Sequence, residues 1–192
     1  AWSATSDNRN LMFFGTNKHL LVYDGVSWKQ YQARNKSILR SLAVDSNNIV
    51  YAGSYNEFGA FMPDTSGGYR YKSISKKLND SVPKFKDIWQ TYATTHGIYF
   101  IARKTVFRYH NNRLTKIPAN LAALFAFKID DIIWLIDNKK GLIKLKNGKT
   151  RIMPNFKKLI RSERPLINII DAGKNKLRII TKSNGLFFYN TR

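Results

Sequence analysis

Short aromatic β-words return along this chain at intervals near 40 residues, and that recurrence constrains the fold more than any single residue does. The words are "FFGT" from Phe13, "YAGS" from Tyr51, "YFIA" from Tyr99, "WLID" from Trp134 and "RIIT" from Arg178, their starts 35 to 48 residues apart. An apolar run follows each at a nearly fixed offset: Tyr23, Phe61 and Tyr109 stand ten residues after their word begins, and Leu145 and Tyr189 eleven. These runs, such as "HLLVYDG", "EFGAFMPD" and "GLIKLKN", run out into Asp, Asn, Gly or His, the residues that make turns. Alternating runs precede the words ("ILRSLAVD", "IWQTYATT", "ALFAFKID", "LINIIDAG"), and fourth runs follow ("SWKQYQ", "YRYKSIS", "RLTKI", "KTRIM"). Four strands in about 40 residues, with turns between them, predict an all-β chain, a β-propeller of about five four-stranded antiparallel blades. The blades fall at approximately 1–33, 37–76, 87–118, 123–154 and 165–192 of a single propeller segment. Gly53 closes the second strand of its unit where Gly15 does in the first, so little side-chain room is expected there. Gly59 opens a third strand, as Gly141 and Gly185 do. The fifth unit stops at its third strand, which predicts part of a larger propeller or an incomplete one. An unfinished blade edge invites self-association or pairing with another chain.

Composition narrows the class. The 192 residues are 43% hydrophobic and 14% aromatic, which excludes disorder as the main reading. The most apolar stretch, "LAALFAFKIDDIIWLI", is broken by Lys128, Asp130 and Asp131, so no membrane span is expected. The chain begins at Ala1 without a signal-peptide pattern and reads as a mature or excised piece. With no cysteine, disulfides, thiol catalysis and Cys-based zinc sites are excluded together. Lys and Arg number 33 against 12 Asp and Glu, a formal +21. The surplus is uneven, +5 over residues 1–96 and +16 over residues 97–192. Such a field attracts polyanions, whether nucleic acid, acidic polysaccharide or anionic headgroups; equally, scattered Lys keeps a surface soluble.

The units resemble two-component regulator propeller repeats, with "NLMFFGTNKHLLVYDG", "DDIIWLIDNKKGLIKLKNG" and "NKLRIITKSNGLFFYN" carrying the likeness. "IVYAGSYNEFGAFMPDTSGGYRYKSI" is similar to a longer variant of that repeat in propeller sensors of Bacteroidetes-type regulators. The resemblance implies a periplasmic, ligand-sensing region built as one or two seven-bladed propellers, ahead of a β-sandwich, a membrane span and an output domain. Its motif residues are structural, so it transfers no catalytic or binding residue.

Candidate chemistry is sparse. His19, His96 and His110 fall at different phases of the repeat and show no ligand spacing, so no metal or other cofactor is expected. Streptogramin-lyase-like propeller enzymes have similar repeats but need a His and acidic residues converging on a metal. Asp130 and Asp131, adjacent on a strand, face opposite sides and make no acid/base pair. A non-enzymatic chain is therefore expected. The loop "SYNEFG" offers Tyr55, Asn56 and Glu57, an amide and a carboxylate beside aromatic faces, as a site for a small molecule or oligosaccharide; alternatively, Asn56 and Glu57 cap a tight turn. Trp89 and Trp134 read as packing between blades. Lys139, Lys140, Lys144, Lys146, Lys149 and Arg151, followed by Lys157, Lys158, Arg161 and Arg164, form a candidate polyanion or nucleic-acid surface. The function read from the sequence is ligand sensing or binding within a bacterial sensor or regulator. The alternatives are a basic nucleic-acid scaffold and a purely architectural interaction module.

Overall fold

A computed structural model of the chain describes all residues except 35, 79–83, 118–122, 138, 157–165, 182–184 and 192. It divides into two compact units, Ala1–Asn120 and Leu121–Arg192.

The first unit holds three four-stranded antiparallel sheets. Sheet one runs β1 (Ser3–Ser6), β2 (Met12–Gly15), β3 (His19–Tyr23) and β4 (Trp28–Gln32). Sheet two runs β5 (Ser41–Val44), β6 (Val50–Gly53), β7 (Phe58–Pro63) and β8 (Tyr69–Ser73), with a short 3-10 turn at Ser75–Lys77 after it. Sheet three runs β9 (Ile88–Thr94), β10 (Gly97–Ala102), β11 (Val106–His110) and β12 (Arg113–Lys116). In the second unit, sheet four runs β13 (Ala123–Ile129), β14 (Ile132–Asp137), β15 (Gly141–Lys146) and β16 (Lys149–Ile152). Sheet five has three strands, β17 (Leu166–Asp171), β18 (Lys176–Thr181) and β19 (Leu186–Asn190). Each sheet is an up-and-down meander with sequence order kept in space, the blade arrangement that the repeat predicts. Among the described residues no helix is long and apolar enough to cross a membrane.

Aspartate makes the hairpins. Asp7 accepts the amides of Arg9 and Leu11 at 2.9 and 3.0 Å, and Asp45 those of Asn47 and Ile49, both at 2.9 Å. Three residues after each, Asn10 (φ 64°) and Asn48 (φ 61°) take the left-handed conformation that asparagine tolerates. Asp24, Asp64, Asp137 and Asp171 accept backbone amides in other turns in the same way.

Neighbouring sheets in a unit pack face to face. Phe13, Leu20 and Val22 of sheet one are buried with Leu42, Val50, Ala52 and Phe61 of sheet two. Phe58 of sheet two stacks on Phe100 of sheet three, centroids 4.3 Å apart, beside Phe107 and Ile88. Each such side chain contributes roughly 1.5–3 kcal/mol by leaving water. Gly15 and Gly53 make this approach possible. A Cβ on Gly15 would lie 2.6 Å from the Leu39 carbonyl, and one on Gly53 2.3 Å from Ile88 Cγ2. Behind each glycine the next sheet is stitched on by a backbone bond: Leu39 N–H to the Thr16 carbonyl (2.9 Å), Ile88 N–H to that of Ser54 (3.0 Å). The first strands β1, β5 and β9 consequently lie side by side.

Candidate functional site

Trp2, Arg40 and Trp89 hold corresponding places at the starts of those three strands. The Trp2 and Arg40 amides donate to the carbonyls of Gly15 and Gly53, each at 2.8 Å, and Trp89 is the second residue of β9. Because the strands are neighbours, the three side chains meet. The Arg40 guanidinium lies 4.3 Å from the Trp2 ring centroid and 4.9 Å from that of Trp89; Arg103 lies 5.6 Å from Trp89. Asp87 Oδ1 accepts from Arg40 Nε at 3.0 Å and fixes the guanidinium edge-on. Asn17 Oδ1 accepts from Trp2 Nε1 at 2.7 Å. Guanidinium–indole contacts are worth about 0.5–2 kcal/mol each, so the array is ordered before any ligand arrives. Trp89 nevertheless keeps 40% of its surface exposed.

Beside it opens a cleft of about 760 Å³, within the size range of small-ligand sites. Trp89 and Phe85 supply its apolar wall; Lys84, Lys86, Arg103, Lys104 and Lys116 supply five cations. Among the described residues its one carboxylate, Asp87, is already held by Arg40. A concave wall of one sign focuses the field and raises the local concentration of anions.

Two of the three loop residues expected from the sequence border this cleft. Tyr55 forms an isolated bridge with Asp87 and is exposed. Asn56, at φ 49°, donates its amide to the Lys86 carbonyl (2.8 Å), and its Oδ1 accepts from the Lys86 amide (2.7 Å). Glu57 is not displayed on the loop. It is 5% exposed, and Oε1 accepts hydroxyl bonds from Tyr71 (3.1 Å), Ser73 (2.7 Å) and Ser75 (2.8 Å). Gly59 leaves space for this: its missing Cβ would lie 2.6 Å from the Tyr71 hydroxyl. Burial and the Glu57 carboxylate together push the Tyr71 phenol well above its ordinary range. Glu57 therefore anchors β8 and the 3-10 turn to β7, and the carboxylate is not presented to a ligand.

The lysines expected to act together fall into two groups. Lys139 and Lys140 sit in the β14–β15 turn, their amides donated to Asp137 Oδ1. Lys144 and Lys146 share a face of β15, and the register sets Arg151 opposite Lys144 and Lys149 opposite Lys146, so four cations line one face of this hairpin. Lys144 Nζ lies 5.7 Å from the Trp134 ring, whose own body is buried against sheet five. Lys157, Lys158, Arg161 and Arg164 lie outside the described residues. His19 opens β3, His110 closes β11 and His96 occupies a turn; among the described residues no group of three His, Asp or Glu is placed to hold a metal.

Arg40 and Arg103 were not among the residues singled out from the sequence, and Trp89 was read as packing. A signal existed: Trp2, Arg40 and Trp89 stand ten or eleven residues ahead of Phe13, Tyr51 and Tyr99.

No family model and no curated protein matches the chain. Solved structures do. The chain superposes on the extracellular domain of BT4673 from B. thetaiotaomicron with TM-score 0.65 and 21% identity, over 98% of this chain and 26% of that one. Catalytically inactive virginiamycin B lyase from Staphylococcus aureus, solved with quinupristin, gives TM-score 0.65 and 14% identity over 98% of this chain and 69% of that one. The WD40 β-propeller domain of Doa1 gives 0.60 and 11%, over 96% and 62%. The chain thus spans about a quarter of the BT4673 domain and close to two thirds of the other two. At these identities the likeness is one of fold, and the fold is a β-propeller.

Proposed function

We propose that this chain is the ligand-recognising part of a non-enzymatic, extracytoplasmic sensor or regulator, and that it takes an acidic oligosaccharide in the Trp89 cleft. The observation that carries this reading is the half-exposed Trp89 ring, held by Arg40 and Arg103 at the wall of a cleft with five cations. An indole face stacks on the C–H face of a sugar ring, and ammonium and guanidinium groups pair with its carboxylates or sulfates. Tyr55 and Asn56 adjoin the cleft through their pairing with Asp87 and Lys86. The sensor setting is supported by the repeat words and by the fold shared with the BT4673 extracellular domain. The non-enzymatic reading is supported by the engagement of Asp7, Asp24, Asp45, Asp64, Asp137 and Asp171 in turns and of Glu57 with three hydroxyls.

Calorimetric titration with uronic-acid or sulfated oligosaccharides, against neutral ones of equal length, tests the proposal. Binding of the acidic series alone is expected, with affinity lowered about tenfold or more by Trp89→Ala, each factor of ten being about 1.4 kcal/mol. Equal binding of the neutral series, or an unchanged affinity in Trp89→Ala, sinks it.

A second reading rests on the second unit, where Lys144, Lys146, Lys149 and Arg151 share one face. Such a stripe suits a phosphate backbone. Single-stranded nucleic acid binding whose affinity falls steeply with salt, and which Lys146→Gln with Lys149→Gln weakens while Trp89→Ala does not, would favour it.

A further inference from the structure

Among the described residues that line the Trp89 cleft, Arg103 is the one guanidinium, and its place is fixed at both ends. Its backbone belongs to the two-residue turn between β10 and β11, which is closed in both directions. The Ala102 amide donates to the Thr105 carbonyl at 2.9 Å, and the Thr105 amide to the Ala102 carbonyl at 3.5 Å. Ala102 and Val106, which flank the turn, are buried. At the other end the guanidinium lies over the Trp89 ring, 5.6 Å from its centroid.

A β-bulge aims the indole at this turn. Ile101 pairs with Gln90 and Ala102 with Ile88, so Trp89 is the extra residue between them. A bulged residue leaves the ladder and its side chain is re-aimed, here toward the residue that follows Ala102. Sheets four and five shift register at the same stage of their first strands, so the bulge belongs to the repeat; the indole on it belongs to sheet three. Asp87, Arg40, Trp89 and Arg103 thus form a line of contacts within the first unit, from a carboxylate to a guanidinium.

The two guanidiniums differ in what they have left to give. Arg40 donates Nε to Asp87, and its side chain is 17% exposed. Arg103 is exposed, and among the described residues it has no ion pair. Its contact with the ring consumes none of its five N–H donors. Those donors form a rigid fork, which a planar carboxylate meets with both oxygens. In a uronic acid the carboxyl carbon is bonded directly to the sugar ring, so a carboxylate held by Arg103 leaves that ring beside the indole. A sulfate ester interposes at least an oxygen atom and carries its ring further from the wall. We infer that Arg103 is the residue that selects the ligand of this cleft, and that what it selects is the carboxylate of a uronic acid over a sulfate. The inference rests on the acidic-oligosaccharide reading and narrows it. Lys84, Lys86, Lys104 and Lys116 then supply an attraction that any anion shares.

Calorimetric titration with two probes of equal length and charge tests this: trigalacturonate, and a galactotriose with one 6-sulfate on each ring. The wild-type chain is expected to bind the uronate about tenfold more tightly, the worth of one charge-assisted hydrogen bond. Arg103→Lys keeps the charge but loses the fork, and is expected to bring the two affinities level by weakening the uronate alone. Lys104→Gln removes a charge from the same turn and should weaken both probes alike. Both residues are exposed, so both variants are expected to fold, with unchanged circular dichroism. A role confined to propping Trp89 would make Arg103→Lys weaken both probes equally and leave their ratio unchanged. Such an unchanged ratio, or equal binding of the two probes by the wild type, overturns the inference while the cleft remains the site. Binding of neither probe, or binding of both that ignores Trp89→Ala, removes the acidic-oligosaccharide reading and the inference with it.

Discussion

Gly53→Ala isolates the seam on which the site is built. Gly53 is absent from the positive-φ glycines, so its backbone suits any residue. On conformational grounds alone, alanine would stabilise by about 0.4–1 kcal/mol through the unfolded chain. The added Cβ, however, would lie 2.3 Å from Ile88 Cγ2, 2.6 Å from Ser41 Oγ and 2.7 Å from Ile88 Cβ. Carbon atoms pack at about 3.5–4.0 Å, so β9 must retreat by about an ångström or Ile88 must leave its place. Overpacking of this kind costs about 1–3 kcal/mol, enough to reverse the entropic gain. The expected net loss is about 1–2 kcal/mol, a fall in melting temperature of several degrees for a chain of this size. Urea unfolding followed by tryptophan fluorescence measures it. Ile88→Ala alone should cost about 2–5 kcal/mol, because Ile88 is fully buried. The double variant should cost less than the sum by about 0.5–1.5 kcal/mol, since the worst of the three contacts disappears and the other two remain. Stabilisation by Gly53→Ala, or strict additivity with Ile88→Ala, would refute the steric argument. Because Ile88 stands between Asp87 and Trp89, the same variant is also expected to weaken any ligand of the cleft.

Other outcomes follow from particular contacts. Glu57→Ala leaves the Tyr71, Ser73 and Ser75 hydroxyls without their shared acceptor and is expected to lower stability by about 2–4 kcal/mol, read by chemical denaturation; a loss under about 0.5 kcal/mol would contradict the anchoring role. The Asp24 carboxylate is held down to about 2, first by the Ser27 amide and then by that of Val26. Its contribution is present above the ordinary carboxylate range and fades as pH falls from about 4 to 2, so Asp24→Asn should flatten the acid limb of a stability–pH curve. Burial pushes the Tyr92 phenol up to about 12. Its folded-state pKa is raised, so the stability is whole below pH 10 and is lost as pH climbs from about 10 to 12. Tyr92→Phe should make that alkaline limb shallower in the same denaturation series.

The strands were legible because each repeats a period-two pattern between turn residues, and five copies of a weak signal make a strong one. All five words, from "FFGT" to "RIIT", lie within or overlap second strands β2, β6, β10, β14 and β18. The tight glycine positions were legible for the same reason: Gly15 and Gly53 align across repeats. Glu57 was misread because a polar trio between aromatics looks like a surface loop. Its burial depends on hydroxyls 14 to 18 residues away on β8 and the turn after it, which no local pattern announces. Trp89 was half read. Its place in a first strand was clear, but its setting comes from Arg40, the residue just before β5, meeting its ring, a relation between two repeats. The lysines of sheet four were grouped by nearness in sequence, whereas Lys140 in the turn before β15 and Lys146 at its far end stand roughly 20 Å apart at 3.3 Å per residue.

The basic surplus acquires a structural cause once the acids are located. The hairpins of this repeat use aspartate to receive turn amides, and Asp7, Asp24, Asp45, Asp64, Asp137 and Asp171 do that work, while Glu57 serves three hydroxyls and Asp87 serves Arg40. Among the described residues the ion pairs are Arg9–Asp7 and Arg40–Asp87, both formed by arginine. A soluble fold requires no more than scattered charge of that kind. It does not require five cations on one concave wall, nor an indole ring kept exposed between two guanidinium groups at that wall. The general surplus thus follows from how the turns are built, and the Trp89 cleft is the place where charge and shape exceed what the fold itself demands.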